Sequence, residues 1–301
     1  MEYYWMERTA PAVLPTSHSM KSKLLYALPL SVACLAGASF LAIGQDATPA
    51  APKPLKALLI IGGCCHDYEK QKDILKAGLE ERANLTVDIC YSPDKGTKAT
   101  FPVYEKENWA EGYDVIIHDE CSADIKDLAV VNRILDAHRK GTPGVNLHCA
   151  MHCYRTAPDV GKPVQSGTND SLWFDYLGLQ SSGHGRQAPI AITYSAHPAT
   201  AGLTNWTTIN EELYNNIRIL DGTTALAKGK QDKSETVVAW AHEYGDKKTK
   251  VWSTTIGHNN ETVADAKYLD LVAQGILWST GKLGADGKPA AGYAPVKAAA
   301  K

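Results

Sequence analysis

The stretch Leu55-Lys56-Ala57-Leu58-Leu59-Ile60-Ile61, followed at once by Gly62-Gly63-Cys64-Cys65-His66-Asp67, decides the fold. Apart from Lys56 the run is apolar throughout, as in a strand covered on both faces, and the glycine pair stops it. Residues 68–82 then switch to a helical period, with Ile74, Leu75 and Leu79 set among charges, and residues 85–91 return to alternation. Strand, helix, strand predicts a βαβ unit whose two strands are parallel through a right-handed crossover.

The same rhythm continues outward. Residues 113–118 read as a short apolar strand, 125–140 as an amphipathic helix closed by Gly141, and 144–148 as another strand introduced by Pro143. After a polar, Gly/Pro-rich stretch up to Ser171, a short helix is expected over 173–177 and strands over 189–194, 235–241 and 250–256. A closing helix over 264–279 carries Leu269, Leu271, Val272, Ile276 and Leu277 on its apolar face. Together these predict a single α/β domain over residues 55–281, with a mostly parallel, doubly wound sheet flanked by helices.

The two ends follow other rules. Lys21 and Lys23 precede an uncharged segment that closes on Ala42-Ile43-Gly44, so residues 20–44 have the grammar of a signal peptide and imply a periplasmic or secreted protein. The segment also approaches the length of a membrane anchor, and that reading stays open beside cleavage. Residues 1–19 have no place in such a leader, which favours translation from Met20. Residues 45–54 form an Ala/Pro linker, and residues 282–301 are expected as a disordered tail.

A formal net charge of -2 over 301 residues argues against a nucleic-acid partner, which is normally gripped by clustered Lys and Arg. Of seven cysteines, Cys34 lies in the leader; Cys64, Cys65, Cys90, Cys121, Cys149 and Cys153 remain, in a compartment that permits disulfides, and their spacing leaves the pairing open.

Ligands of open α/β sheets bind beyond the carboxyl ends of the strands. Four segments fall there: Cys64-Cys65-His66-Asp67, Asp119-Glu120-Cys121, His148-Cys149-Ala150-Met151-His152-Cys153 and Gly257-His258-Asn259-Asn260. Histidine suits such places because it exchanges protons near neutral pH or binds a metal through a neutral ring nitrogen. His66-Asp67 reads either as a site pair or as a helix start capped by Asp67. His148 and His152 would share one face of a helix, but the glutamate of the zincin motif is missing. Cys149 reads as a thiol nucleophile or as a small buried hydrophobe. Glu212 and Tyr214 would share a strand face, a carboxylate for acid/base work beside a phenol for sugar hydroxyls. His197-Pro198 reads as a turn, and Trp173 and Trp240 as core. No Gly-x-Gly-x-x-Gly follows the first strand, so a nicotinamide cofactor has no phosphate cradle.

Taken together, Gly62-Gly63 with His66-Asp67, Asn146-Leu147-His148, Trp173 before Gly183-His184-Gly185-Arg186, His197-Pro198, Glu212-Leu213-Tyr214, Trp240 and Thr254-Thr255-Ile256-Gly257-His258 before Trp278 resemble the ThuA-like (trehalose utilisation) family. The resemblance spans residues 58–281 and implies the class I glutamine amidotransferase-like version of the flavodoxin-type fold. In the amidotransferases the elbow that His148 would occupy holds the nucleophilic cysteine, and His258 is similar to their catalytic histidine. Imidazole does not replace a thiolate that must form an acyl intermediate, so glutamine hydrolysis is not expected. What the resemblance implies instead is an enzyme of disaccharide or keto-sugar metabolism, hydrolase or lyase in type, or a non-catalytic carbohydrate-binding protein. His148, His258 and Glu212 would be catalytic, while His66, Asp67, His184 and Tyr214 would bind substrate. If a cofactor serves, the imidazoles of His148, His258 and His184 suit a divalent metal such as zinc. One departure from the family pattern concerns His184, whose surroundings, Gly178 to Gly185, lack the usual Phe and Pro.

Overall fold

The computed structural model describes residues 52–296, so the expectations for the leader and most of the linker lie outside it. Among the described residues no helix is long and apolar enough to cross a membrane. The amino-terminal half alternates as expected: β1 (Leu55–Gly63), α1 (Tyr68–Arg82), β2 (Leu85–Ser92), β3 (Val115–Cys121), α2 (Leu128–Arg139) and β4 (Gly144–Leu147). After β4 come a 3-10 turn (His148–His152), α3 (Leu172–Leu177), β5 (Leu179–Tyr194), β6 (Trp206–Ile219), β7 (Thr224–Gln231), β8 (Ser234–Tyr244), β9 (Thr249–Thr254), α4 (Asn260–Val263) and α5 (Ala266–Ser279).

The two-faced burial read from β1 is literal. Leu55, Ala57, Leu59 and Ile61 pack on one side with α1 and α5, through Leu75, Leu79, Leu271 and Ile276. Leu58 and Ile60 pack on the other with Val131, Ile134 and Leu135 of α2 and with Trp173 of α3. A strand's period of two sends alternate side chains to opposite layers, so an apolar run is what a central strand requires. Local signals set the helix ends: the Asp127 carboxylate accepts from the N–H groups of Ala129 and Val130 at the start of α2, and Asp265 does the same for Lys267 in α5.

One expectation is corrected. The nine strands form a single sheet in the order β2-β1-β3-β4-β9-β8-β7-β5-β6. From β2 to β9 every pairing is parallel, but from β9 to β6 every pairing is antiparallel, so the sheet is mixed rather than mostly parallel. Within the antiparallel half β5, β8 and β9 are expected in part, but β6 and β7 are not expected as strands, because they lack clean apolar alternation. Polar residues such as Thr208, Glu211, Glu212 and Gln231 hold buried strand positions there. The carboxyl-terminal segment is a second correction. Up to residue 296 it folds back along the domain: Leu283 pairs with Pro289, the Tyr293 carbonyl accepts from Asn84 N–H, and Leu283 and Tyr293 pack on the core. Two apolar side chains in a small-residue tail suffice to dock it.

Candidate functional site

The carboxyl ends of β1, β4 and β9 converge, as the parallel half requires. At the end of β1 the backbone turns through Gly62 (φ +141°), Gly63 (φ +102°) and, just beyond it, Cys65 (φ +82°). A Cβ on Gly63 would run into the Cys121 carbonyl of β3, so only glycine lets the two strand ends approach this closely. That turn delivers His66. Beyond β4 the chain turns sharply at His148, whose φ of +41° confirms the elbow. Beyond β9, the loop Gly257-His258-Asn259 is held by Glu211, a fully buried carboxylate that accepts from all three backbone N–H groups, at 3.4, 3.0 and 3.2 Å. The rings of His66 and His148, of His66 and His258, and of His148 and His258 lie 4.7, 4.7 and 5.4 Å apart.

The antiparallel half supplies the carboxylate. Register shifts in β5 set His184 opposite Tyr214 and Gln187 opposite Glu212 on β6. Glu212 is the hub: one oxygen is 3.5 Å from both His148 Nε2 and His184 Nε2, and the other is 3.3 Å from His258 Nδ1 and 3.4 Å from Gln187 Nε2. Burial pushes the Glu212 carboxyl up, but the hydrogen bonds and charges of His148 and His258 outweigh it and hold the group well below the usual carboxylate range. In return Glu212 raises His258 above the ordinary histidine value, against the effect of burial.

Tautomers follow from the partners. His148 Nδ1–H donates to the Thr255 carbonyl at 2.7 Å, which leaves Nε2 facing Glu212 and, at 3.4 Å, the Tyr214 hydroxyl. The Gln187 amide N–H lies 2.8 Å from His258 Nε2, so it donates to that nitrogen when the ring carries its proton on Nδ1, toward Glu212. His66 differs. Burial first, then His148 and His258, pull its pKa down to about 2, and its Nδ1 is buried without a partner. It is a neutral imidazole.

The structure thus gathers His148, His258, Glu212, His66 and His184, and sets two residues apart. The Asp67 carboxylate turns to Lys70, at 2.9 Å, and to Asn260, at 2.8 Å, on the outer side; it stands at the N-terminus of α1 but makes no side-chain cap. Tyr214 is only 2 % exposed; its ring stacks on His152 at 4.3 Å and lies beside His184 at 5.7 Å, so it braces the imidazoles from behind. His148 and His152 do not share a helix face, because the turn after β4 is a 3-10 turn; His152 pairs with Ser181 Oγ at 2.9 Å. The ring nitrogens that come within 4.8 Å of one another belong to His66, His148 and His258, so His66 takes the place expected for His184 in any metal-binding set. Cys149 is disulfide-bonded to Cys121, and Cys64 to Cys65. His197 accepts from Ala199 N–H as a turn residue, and Trp173 and Trp240 are core, with indole N–H groups on the carbonyls of Ala150 and Leu177. Sequence reasoning missed Glu211 and Gln187. Glu211 carried one signal, two adjacent acids in a stretch otherwise fit for a strand. An open cavity of about 480 Å³, lined by Cys65, His66, Asp67, Lys95 and His258, leads to the cluster.

The sequence model of the ThuA family, described as trehalose utilisation, matches residues 56–279. The chain belongs to the ThuA family. Among solved structures, a ThuA-like protein from Parabacteroides merdae aligns at a TM-score of 0.54 and 22% identity, over 77% of this chain and 92% of that one. A ThuA-like protein from Bacteroides uniformis aligns at 0.52 and 16% identity, over 78% and 95%. These likenesses support the fold of the ThuA domain from β1 to α5. No curated protein matches the sequence.

Proposed function

We propose that this ThuA-family protein is an exported enzyme acting on a sugar or sugar derivative, a disaccharide or keto-sugar, by hydrolysis or elimination. Membership in a family described as trehalose utilisation supports a carbohydrate-related role. The observation that carries the catalytic reading is the Glu212 hub, one carboxylate within 3.5 Å of three imidazoles, those of His148 and His258 at strand ends and that of His184 within β5. Glu212 and His148 Nε2 share the proton that leaves or joins the substrate, and His258, raised by Glu212, is the acid that protonates a leaving oxygen. His66 orients hydroxyls at the cavity, and His184, 40 % exposed at its side chain, does so beside Glu212. Asp67 belongs to the cavity rim and Tyr214 to the support of His148. The leader-like residues 20–44 support export.

A product-resolved screen of glycosides and keto-glycosides tests the reading. His148→Ala is expected to abolish turnover while sparing ligand binding. A protein that binds a sugar and turns over nothing in that screen is the carbohydrate-binding protein of the alternative reading. The triangle of His66, His148 and His258 favours one variant, in which these three imidazoles would hold a divalent cation such as zinc, which would supply Lewis-acid polarisation of a substrate oxygen. Metal analysis of protein purified without a histidine tag would then find a near-stoichiometric ion, lost in His258→Ala. Metal-free protein with full turnover leaves proton transfer as the role of the imidazoles.

A further inference from the structure

Four cysteines from three strand ends meet beside the histidine cluster. Cys64 and Cys65 follow β1 and are bonded to each other; Cys121 ends β3 and is bonded to Cys149, which follows the elbow of β4. The two disulfides are not separate. Cys64 Sγ lies 3.2 Å from Cys121 Sγ, closer than non-bonded sulfurs normally rest and at the distance from which a thiolate attacks a disulfide. Accessibility is graded along the row: Cys65 is exposed and lines the open cavity, while Cys64, Cys121 and Cys149 are 8 %, 2 % and 6 % exposed. At the inner end, the sulfurs of Cys121 and Cys149 lie within 4.8 Å of a ring nitrogen of His66, whose Nδ1 is buried and unpartnered.

We propose that Cys65, Cys64, Cys121 and Cys149 form a thiol–disulfide relay that accepts a small-molecule thiol at Cys65 and releases a free thiol at Cys149, inside the histidine cluster. The order of exposure and the Cys64–Cys121 contact set its direction. An incoming thiolate attacks Cys65 Sγ, forming a mixed disulfide and breaking the Cys64–Cys65 bond, and the electron pair leaves on Cys64. The Cys64 thiolate attacks Cys121 Sγ, forming Cys64–Cys121 and breaking Cys121–Cys149; Cys149 leaves as a thiolate and takes a proton from solvent. The number of disulfides and of thiols is unchanged. A second small thiol resolves the mixed disulfide at Cys65, leaving the protein reduced by two electrons and the small thiol oxidised to its own disulfide. The relay does not depend on the sugar chemistry of the site: it stands or falls on sulfur connectivity alone.

The test uses the full chain purified without reductant, treated with limiting reduced glutathione, acid-quenched, unfolded, alkylated and mapped by mass spectrometry. Cys90 and Cys153, free in the structure, are alkylated in every sample and serve as the internal reference. The expected products are glutathione on Cys65, a Cys64–Cys121 bond and alkylated Cys149, the last appearing in step with the mixed disulfide. Glutathione on Cys65 with alkylated Cys64 and an intact Cys121–Cys149 bond overturns the relay. So does alkylation of all four cysteines before any glutathione is added, whether they are simply reduced or hold a metal. Cys65→Ser supplies a second arm: with Cys64 already free, the Cys64–Cys121 bond and an alkylated Cys149 should form without glutathione. A folded Cys65→Ser protein that keeps Cys121–Cys149 refutes the proposal, and if that variant does not fold the wild-type arm decides.

Discussion

Among the described residues two histidine–carboxylate clusters can be compared, one sealed in the core and one open to a cavity. The inner one joins Glu120 of β3 to His118 and His138. His138 Nδ1–H donates to the Thr142 carbonyl at 2.7 Å, its Nε2 is 3.0 Å from His118 Nε2, and His118 Nδ1 is 3.0 Å from Glu120 Oε1. The hydroxyls of Tyr104 and Tyr154 donate to the same oxygen, at 2.8 and 3.0 Å. All three members are fully buried, under the rings of Trp109, Trp173 and Tyr176. The outer cluster uses the same chemical groups, yet its hub, Glu212, has imidazoles at 3.3 to 3.5 Å, each looser than a good hydrogen bond, and it opens on a cavity. A carboxylate whose working oxygen is saturated by tyrosines and sealed by tryptophans fixes the core; one ringed by loosely held imidazoles can give and take a proton.

The sharpest way to break this comparison is to neutralise each hub. Glu212→Gln should lower turnover on any substrate the screen identifies by about 10²–10⁴-fold, the usual weight of a positioned acid or base, with the melting temperature little changed. Glu120→Gln should do the reverse: removing one partner of a buried pair costs about 3–5 kcal/mol, read by urea unfolding, while the folded fraction keeps its specific activity. If Glu120→Gln instead silences a stable protein, the inner cluster is functional and the distinction fails. Gly63→Ala, which forces a Cβ against the Cys121 carbonyl at a positive φ, should cost about 1–3 kcal/mol and lower activity as well, since it shifts the turn that delivers His66.

The pH dependence sharpens the contrast further. His66 is held down to about 2, so below its ordinary value of 6.5 the unfolded chain binds a proton that the native protein refuses, and stability falls with pH. Glu212, depressed below its ordinary 4.5, adds to the loss under that value as its native contacts are protonated away. His258 works in the opposite sense: raised above 6.5, its contribution is full below that value and disappears as pH rises through the higher native one. Urea unfolding between pH 6.5 and 4.5 should show a slope of up to about 1.4 kcal/mol per pH unit from His66, which His66→Gln removes. The smallest effect is expected of Asp67→Asn, since its exposed pair with Lys70 lies outside the hub; both turnover and melting temperature should stay near wild type.

Some of this was legible before folding and some was not. The apolar run of β1, the helical period of α1 and the strand-end histidines are local facts, because burial on two faces and the positions after a parallel strand leave a direct mark on composition. His148 at an elbow and His66 after a glycine pair could be read for the same reason. The sequence placed Glu212 and Tyr214 on one strand face but could not say that the phenol would be covered or that the carboxylate would reach three imidazoles. Those outcomes depend on register shifts in β5, and a slip of one residue there would turn His184 and Gln187 to the other face, away from Glu212. Nor could spacing show that Gln187 would attend His258, that Glu211 would hold the β9 loop, or that Cys64 would lie against Cys121. Each is a meeting of segments distant in the chain, set by how the antiparallel half folds onto the ends of the parallel one. The sequence by itself determined the parallel scaffold and which residues stand at its mouth; only the tertiary structure decided which of them touch, because contact across a sheet is fixed by register and packing rather than by local pattern.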